Sequence, residues 1–156
     1  MKFHLVQVNV AYQKYSMDDP RFAGFVDNLD RINGIADTSP GFVWRYVSDD
    51  DDAAVKALFG NPMLLFNMSV WESKQALEDY VYRSDHVHIL RQRADWFVPQ
   101  KGPSMALWWI AAGKLPGITE AKHRLERLAQ AGPTEDAFTF RSAFDPPAAD
   151  RQSVAR

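Results

Sequence analysis

Apolar and polar residues alternate along Phe3–Tyr12: His4, Val6, Val8, Val10 and Tyr12 fall on one side, and Phe3, Leu5, Gln7, Asn9 and Ala11 on the other. A period of two over ten residues predicts a strand. After a loop at Lys14–Asp18, Asp19-Pro20 supplies an N-cap and a first helical residue. Phe22, Phe25, Val26, Leu29, Ile32 and Ile35 then recur at helical spacing to about Asp37, where Ser39-Pro40-Gly41 stops the helix. Phe42–Val47 predicts a second strand, and four consecutive Asp within Ser48–Asp52 predict a solvated hairpin tip. Their spacing lacks the alternating ligands and the glycine of a calcium loop. Ala54–Phe59 reads as a short strand or turn, followed by a turn at Asn61-Pro62.

Met63–Trp71 predicts a third strand, with Leu64, Phe66, Met68 and Val70 on one face and Leu65, Asn67, Ser69 and Trp71 on the other. Ser73 caps a helix carrying Ala76, Leu77, Tyr80 and Val81, which breaks near Arg83-Ser84 and restarts with Ser84 as a new cap. That second half runs to about Phe97 with Val87, Leu90, Ala94 and Phe97 as its stripe. Ser104–Ala112 is a fourth, apolar strand. Thr119 then caps a helix through Ala121, Leu125, Leu128 and Ala129, and Ala137–Phe140 is a short last strand. Residues 1–142 make one domain, and 143–156, with two Pro and no apolar pattern, are expected to be a disordered tail.

The order β-α-β-β-α-β followed by α-β predicts an α+β fold, the ferredoxin-like split βαβ with an antiparallel sheet and helices on one face. The other face must then meet a partner. Because Val6, Val8 and Val10 lie with Leu64, Phe66, Met68 and Val70 on one side, the expectation is a homodimer whose apolar sheet faces meet. Gln7, Asn9, Asn67 and Ser69 would look towards the chain's own helices. Amides and hydroxyls placed there must bond to one another, to water or to a ligand. They point either to a cavity or to a small satisfied polar cluster.

Composition narrows the chemistry. The 156 residues carry a formal net charge of −2, far from the basic balance of a nucleic-acid binder. There is no Cys, which excludes disulfides, thiolate nucleophiles and Cys-ligated zinc. The N-terminal stretch lacks the apolar core of a signal peptide, and no apolar run is long enough to span a bilayer, so a cytoplasmic protein is expected. Aromatics make up 13% of the chain, a supply that suits an aromatic-lined pocket or a large subunit interface.

Several motifs in order carry a family resemblance: PGFVWR (Pro40–Arg45), NMSVWES (Asn67–Ser73), VYRSDH (Val81–His86), RQRADWF (Arg91–Phe97) and ALWWIAAG (Ala106–Gly113). Over about residues 3–141 the chain resembles the DUF3291 proteins, within the dimeric α/β-barrel superfamily that includes antibiotic-biosynthesis-type monooxygenases. The resemblance implies a small-molecule enzyme. It could be a cofactor-free monooxygenase or an isomerase or cyclase acting on an aromatic or polyketide-like substrate between sheet and helices. A non-catalytic small-molecule-binding dimer is the alternative, and a haem-binding or haem-degrading protein a third. The haem pattern wants a first-strand Asn, a helix Trp and a helix His. Asn9 and His86 stand in the right elements, but position 80 is Tyr and the His comes about one turn early.

His86 is the candidate general base, since imidazole titrates near neutrality; a helix-cap or surface role is its bland reading. Asn67 and Tyr82 complete the catalytic candidates, with Tyr82 a proton donor or a plain wall residue. Gln7, Asn9 and Ser69 would orient substrate oxygens. Arg45 could clamp a carboxylate, although a salt bridge at the dimer interface is favoured. Trp71, Tyr80, Trp96 and Trp109 would form aromatic walls, or simply core. Trp108 and Trp109 are adjacent on a strand, so only one can face the pocket. His86 and His88 are not spaced to chelate one metal, and no metal is expected.

Overall fold

The computed structural model describes residues 2–47, 53–83 and 86–147, with residues 83 and 86–90 described by backbone alone. Strand β1 (Phe3–Gln13) is the centre of the sheet. On one side it pairs antiparallel with β3 (Leu64–Trp71), in a register running from Leu5 opposite Trp71 to Tyr12 opposite Leu64. On the other it pairs antiparallel with β5 (Met105–Ala111), from Phe3 opposite Ala111 to Asn9 opposite Met105. The two-residue β4 (Phe97–Val98) continues that edge at Tyr12 and Gln13. The outer strand β2 (Phe42–Arg45) pairs with β3 through an irregularity between Phe42 and Trp44. The resulting order, β2-β3-β1-β5, is that of a ferredoxin-like α+β fold.

Helix α1 (Ala23–Thr38) follows a short 3-10 turn at Pro20–Phe22, where Asp19 accepts a hydrogen bond from the Arg21 backbone N–H at 2.8 Å. The cap is where the sequence placed it, and Pro20 opens the turn. Helices α3 (Lys74–Arg83) and α4 (His86–Trp96) stand on either side of residues 84 and 85, and the break expected there lies outside the described residues. Ser73 caps α3, its Oγ accepting from the Ala76 N–H at 3.1 Å. Gly41 lets α3 sit close. Its φ is +84°, and a Cβ added there would lie 2.5 Å from the Cβ of Ala76.

Four expectations are corrected. Ala53–Phe59 is a helix, α2, not a strand or turn. Val55 and Phe59, one turn apart, pack on the sheet, and Ala and Lys between them favour helix. Helix α5 (Ile118–Ala131) starts after Gly117 with no side-chain cap, so Thr119 lies inside its first turn. The expected last strand is reduced to isolated bridges, Ala137 to Thr134 and Phe138 to Leu107. The chain then turns, the Ser142 N–H bonding Thr139 Oγ1 at 3.1 Å.

The fourth correction concerns the layers. Val6, Val8, Val10, Met68, Val70, Ala106 and Trp108 form one core with Ala121, Leu125 and Leu128 of α5 and Val55 of α2. The apolar sheet face is covered by the chain's own helices, not left bare for a partner. Burying Leu125 or Leu128 there contributes about 2 kcal/mol each relative to exposure. On the reverse face, Leu5, Trp71 and Leu107 pack with Ala36 of α1, Leu77 of α3 and Phe138. Helices therefore lie on both faces. The Asp-rich tip, the Ser84 cap, the His86 and His88 side chains, and the tail beyond residue 147 lie outside what is described.

Candidate functional site

Odd-numbered residues of β1 and β3 share the reverse face, and the register sets Gln7 opposite Ser69 and Asn9 opposite Asn67. Four uncharged polar side chains thus form a block in which cross-strand neighbours lie about 5 Å apart at Cβ. Both ends of this face are apolar. At one end Leu5, Trp71, Leu77, Ala36 and Phe138 pack together. At the other, Phe22, Phe25, Trp96 and Phe97 meet mostly edge to face at centroid distances of 5.0–5.8 Å. α1 contributes to both ends, so its sixteen residues, about 24 Å of helix, run over the length of the face. The polar block lies between the two apolar walls.

Half of the block is internally paired. Trp71 Nε1 donates to Ser69 Oγ at 2.8 Å, and Ser69 Oγ donates to Gln7 Oε1 at 3.1 Å. Trp71 is fully buried, stacked on Tyr80 at 5.1 Å and set edge-on against Phe42 at 5.5 Å. The Tyr80 hydroxyl donates to the Ile32 carbonyl at 3.3 Å. Burial raises the Tyr80 pKa well above its ordinary value, an effect that nearby Arg45 partly opposes. In the other half, Asn9 is half-buried and Asn67 exposed, and neither makes a side-chain hydrogen bond among the described residues. The paired-cluster reading fits Ser69 and the Gln7 carbonyl.

The remaining candidates are spread along and around this face. Trp96 is buried against Phe25 in the far wall. Trp109 shares the face of Leu107, and its Nε1 donates to the Phe144 carbonyl at 2.7 Å. Trp108 is on the α5 side, where Arg124 lies 5.4 Å over its ring. Tyr82 is 53% exposed with its ring against Phe140, away from the block. Arg45 bonds Asp37 of its own chain through Nε at 2.7 Å, replacing the salt bridge expected across a dimer. No signal in the sequence marked Asp37 as that partner, or Phe144 as the acceptor for Trp109, because both pairings join separate elements. A hollow of about 460 Å³ also opens on the α5 side, floored by Val10, Tyr12, Phe59 and Leu125 and lined by none of the expected site residues.

The model of a family described as a domain of unknown function, DUF3291, matches residues 4–154. No curated protein matches the chain by sequence. Among solved structures, a protein of unknown function from Nitrosomonas europaea is similar in fold at 12% identity and a TM-score of 0.50, over 74% of this chain and 96% of that one. SnoaB, a cofactor-independent oxygenase from Streptomyces nogalater, is 16% identical with a TM-score of 0.48, over 73% of this chain and 98% of that one. At 12% identity, the likeness to the Nitrosomonas europaea protein speaks for the fold alone. Among the described residues, no helix is long and apolar enough to cross a membrane.

Proposed function

The chain belongs to the DUF3291 family, and on that footing we propose that it is an enzyme acting on an aromatic or polyketide-like molecule held between the sheet and α1, with no metal or flavin of its own. One observation carries this reading: half-buried Asn9 and exposed Asn67 stand opposite each other, with no side-chain hydrogen bond among the described residues, between two apolar walls rich in aromatic rings. Unpaired amides there are suited to oxygen atoms of a bound ring system, while aromatic walls suit its faces. His86, at the start of α4, takes the proton that activates the substrate. For a hydroxyanthrone, the meso C–H loses its proton and the resulting enolate reduces dioxygen. The carbon gains one oxygen atom as a carbonyl, and the second oxygen leaves as water. Isomerisation or cyclisation would use the same base and the same amides.

1,8-Dihydroxyanthrone is the probe. Oxygen uptake and quinone absorbance should exceed the spontaneous rate with the wild-type protein. Asn67→Ala should lower kcat by about 100-fold, the usual effect of removing one donor to a developing oxyanion. Equal rates in the two proteins would sink the proposal. We further propose a homodimer, formed through the half-buried aromatic strip Trp44, Tyr46 and Phe66 beside the α5-covered area. Sedimentation equilibrium should return twice the chain mass, and a single-chain mass at high protein concentration would refute the pairing.

A further inference from the structure

We infer that Gln7 is held with its amide N–H groups facing the ligand space, so that the site selects an ionised oxygen, a phenolate or enolate, over its neutral form. The inference rests on the placement of the site proposed above and deepens it. An indole nitrogen can only donate. Trp71 is locked by Tyr80 on one side and Phe42 on another, so its N–H is aimed at Ser69 by packing. Ser69 Oγ thereby accepts a hydrogen bond and donates its own O–H to the acceptor within reach, Gln7 Oε1. That fixes the flip of the Gln7 amide, which sequence and strand geometry alone leave open. Its carbonyl is used, and its NH2 group remains.

The Gln7 NH2 group has no hydrogen-bond partner. Nor is it sealed in: the enclosed side-chain atoms without partners among the described residues are His4 Nδ1, Trp108 Nε1 and Arg124 Nε. Gln7 Nε2 is therefore not fully enclosed, and Asn9 stands two positions on along the same face. Ser69 is fully engaged as a link and is a positioning residue, not a ligand of the substrate. The direction of the chain has a chemical consequence. Asn9 and Asn67 can rotate to offer either oxygen or nitrogen, whereas Gln7 can offer only hydrogen. A ligand oxygen bearing negative charge gains from that donor more than a neutral hydroxyl does.

The test uses 4-nitrophenol, whose anion is read by its visible absorbance and whose binding is followed by tryptophan fluorescence across pH. The wild-type protein should bind the phenolate about tenfold more tightly than the phenol, a pKa depression of about one unit for the bound probe. Gln7→Leu should abolish that preference while still binding the probe. Gln7→Glu, which can only accept when ionised, should reverse it. Ser69→Ala should reduce the preference severalfold, because the amide is then free to flip. Thermal unfolding confirms that each variant is folded. A wild-type preference for the neutral phenol, or a preference unchanged in Gln7→Leu, overturns the inference and leaves the site standing. Failure of either form to bind overturns both.

Discussion

The two faces of one sheet are built from alternate residues of the same strands, yet they differ in what they leave unfinished. On the α5 face, Val6, Val8, Val10, Met68 and Val70 are covered by Leu125, Leu128 and Val55. On the α1 face, the ends are as well packed, but the middle carries Gln7, Asn9, Asn67 and Ser69. Placing amides on a helix-covered face costs stability unless each is paired. Among the described residues Ser69 is paired as acceptor and donor and Gln7 through its carbonyl oxygen, whereas Asn9 and Asn67 make no side-chain hydrogen bond. The contrast separates a face packed with apolar side chains along its length from a face whose middle is polar.

Substitutions can break that contrast. The largest effect is expected at Met68→Ala, which empties a fully buried position on the α5 face. It should cost about 3 kcal/mol in denaturant unfolding and leave the affinity for 4-nitrophenol unchanged. A loss of affinity without a loss of stability would mean that the α5 face carries the function. Next comes Trp71→Phe, which removes the donor to Ser69 and part of a buried ring. We expect about 2 kcal/mol of destabilisation together with a weakened anion preference. This variant should register on both readouts, since Trp71 belongs to the wall and to the polar chain.

A smaller effect concerns Tyr80. Burial raises its pKa above the ordinary 10.0, so the folded protein holds the phenolic proton more tightly than the unfolded chain. The stability this contributes is full below pH 10 and is lost as pH climbs from there through the folded value. Tyr80→Phe should therefore flatten the alkaline fall of stability above about pH 10; an unaltered slope would show that the hydroxyl is not protected by packing. The smallest stability effect is expected at Asn67→Ala. Its side chain is exposed and makes no hydrogen bond, so unfolding should shift by no more than about 0.5 kcal/mol. The same substitution is the one expected to cost most in turnover, and that opposition sharpens the division between the faces.

The sequence made much of this readable. Alternation over Phe3–Tyr12 and Met63–Trp71 set Gln7, Asn9, Asn67 and Ser69 on one face, and they are found there. Short elements were harder. Ala53–Phe59 has two packing residues in seven, too few to distinguish a period of 3.6 from one of two. Ala137–Phe140 carries strand-forming residues but forms only isolated bridges before turning away. Tyr82 and Tyr80 look alike as sequence. They differ because one side of α3 meets Trp71 and the other meets Phe140 at the surface.

By itself, then, the sequence determined the elements, their order and the sharing of faces. Helical and strand periods are properties of the local backbone, so side-chain spacing reveals them directly. Tertiary structure alone decided what covers each face. The stripe Ala121, Leu125 and Leu128 would fit any apolar surface, and it settled on the one expected to meet a second chain. Arg45 found Asp37, and Trp109 found Phe144, across gaps that no local pattern spans. The orientation of the Gln7 amide also belongs here. It is set by a hydrogen-bond chain that begins at an indole N–H whose direction Phe42 and Tyr80 fix from separate elements.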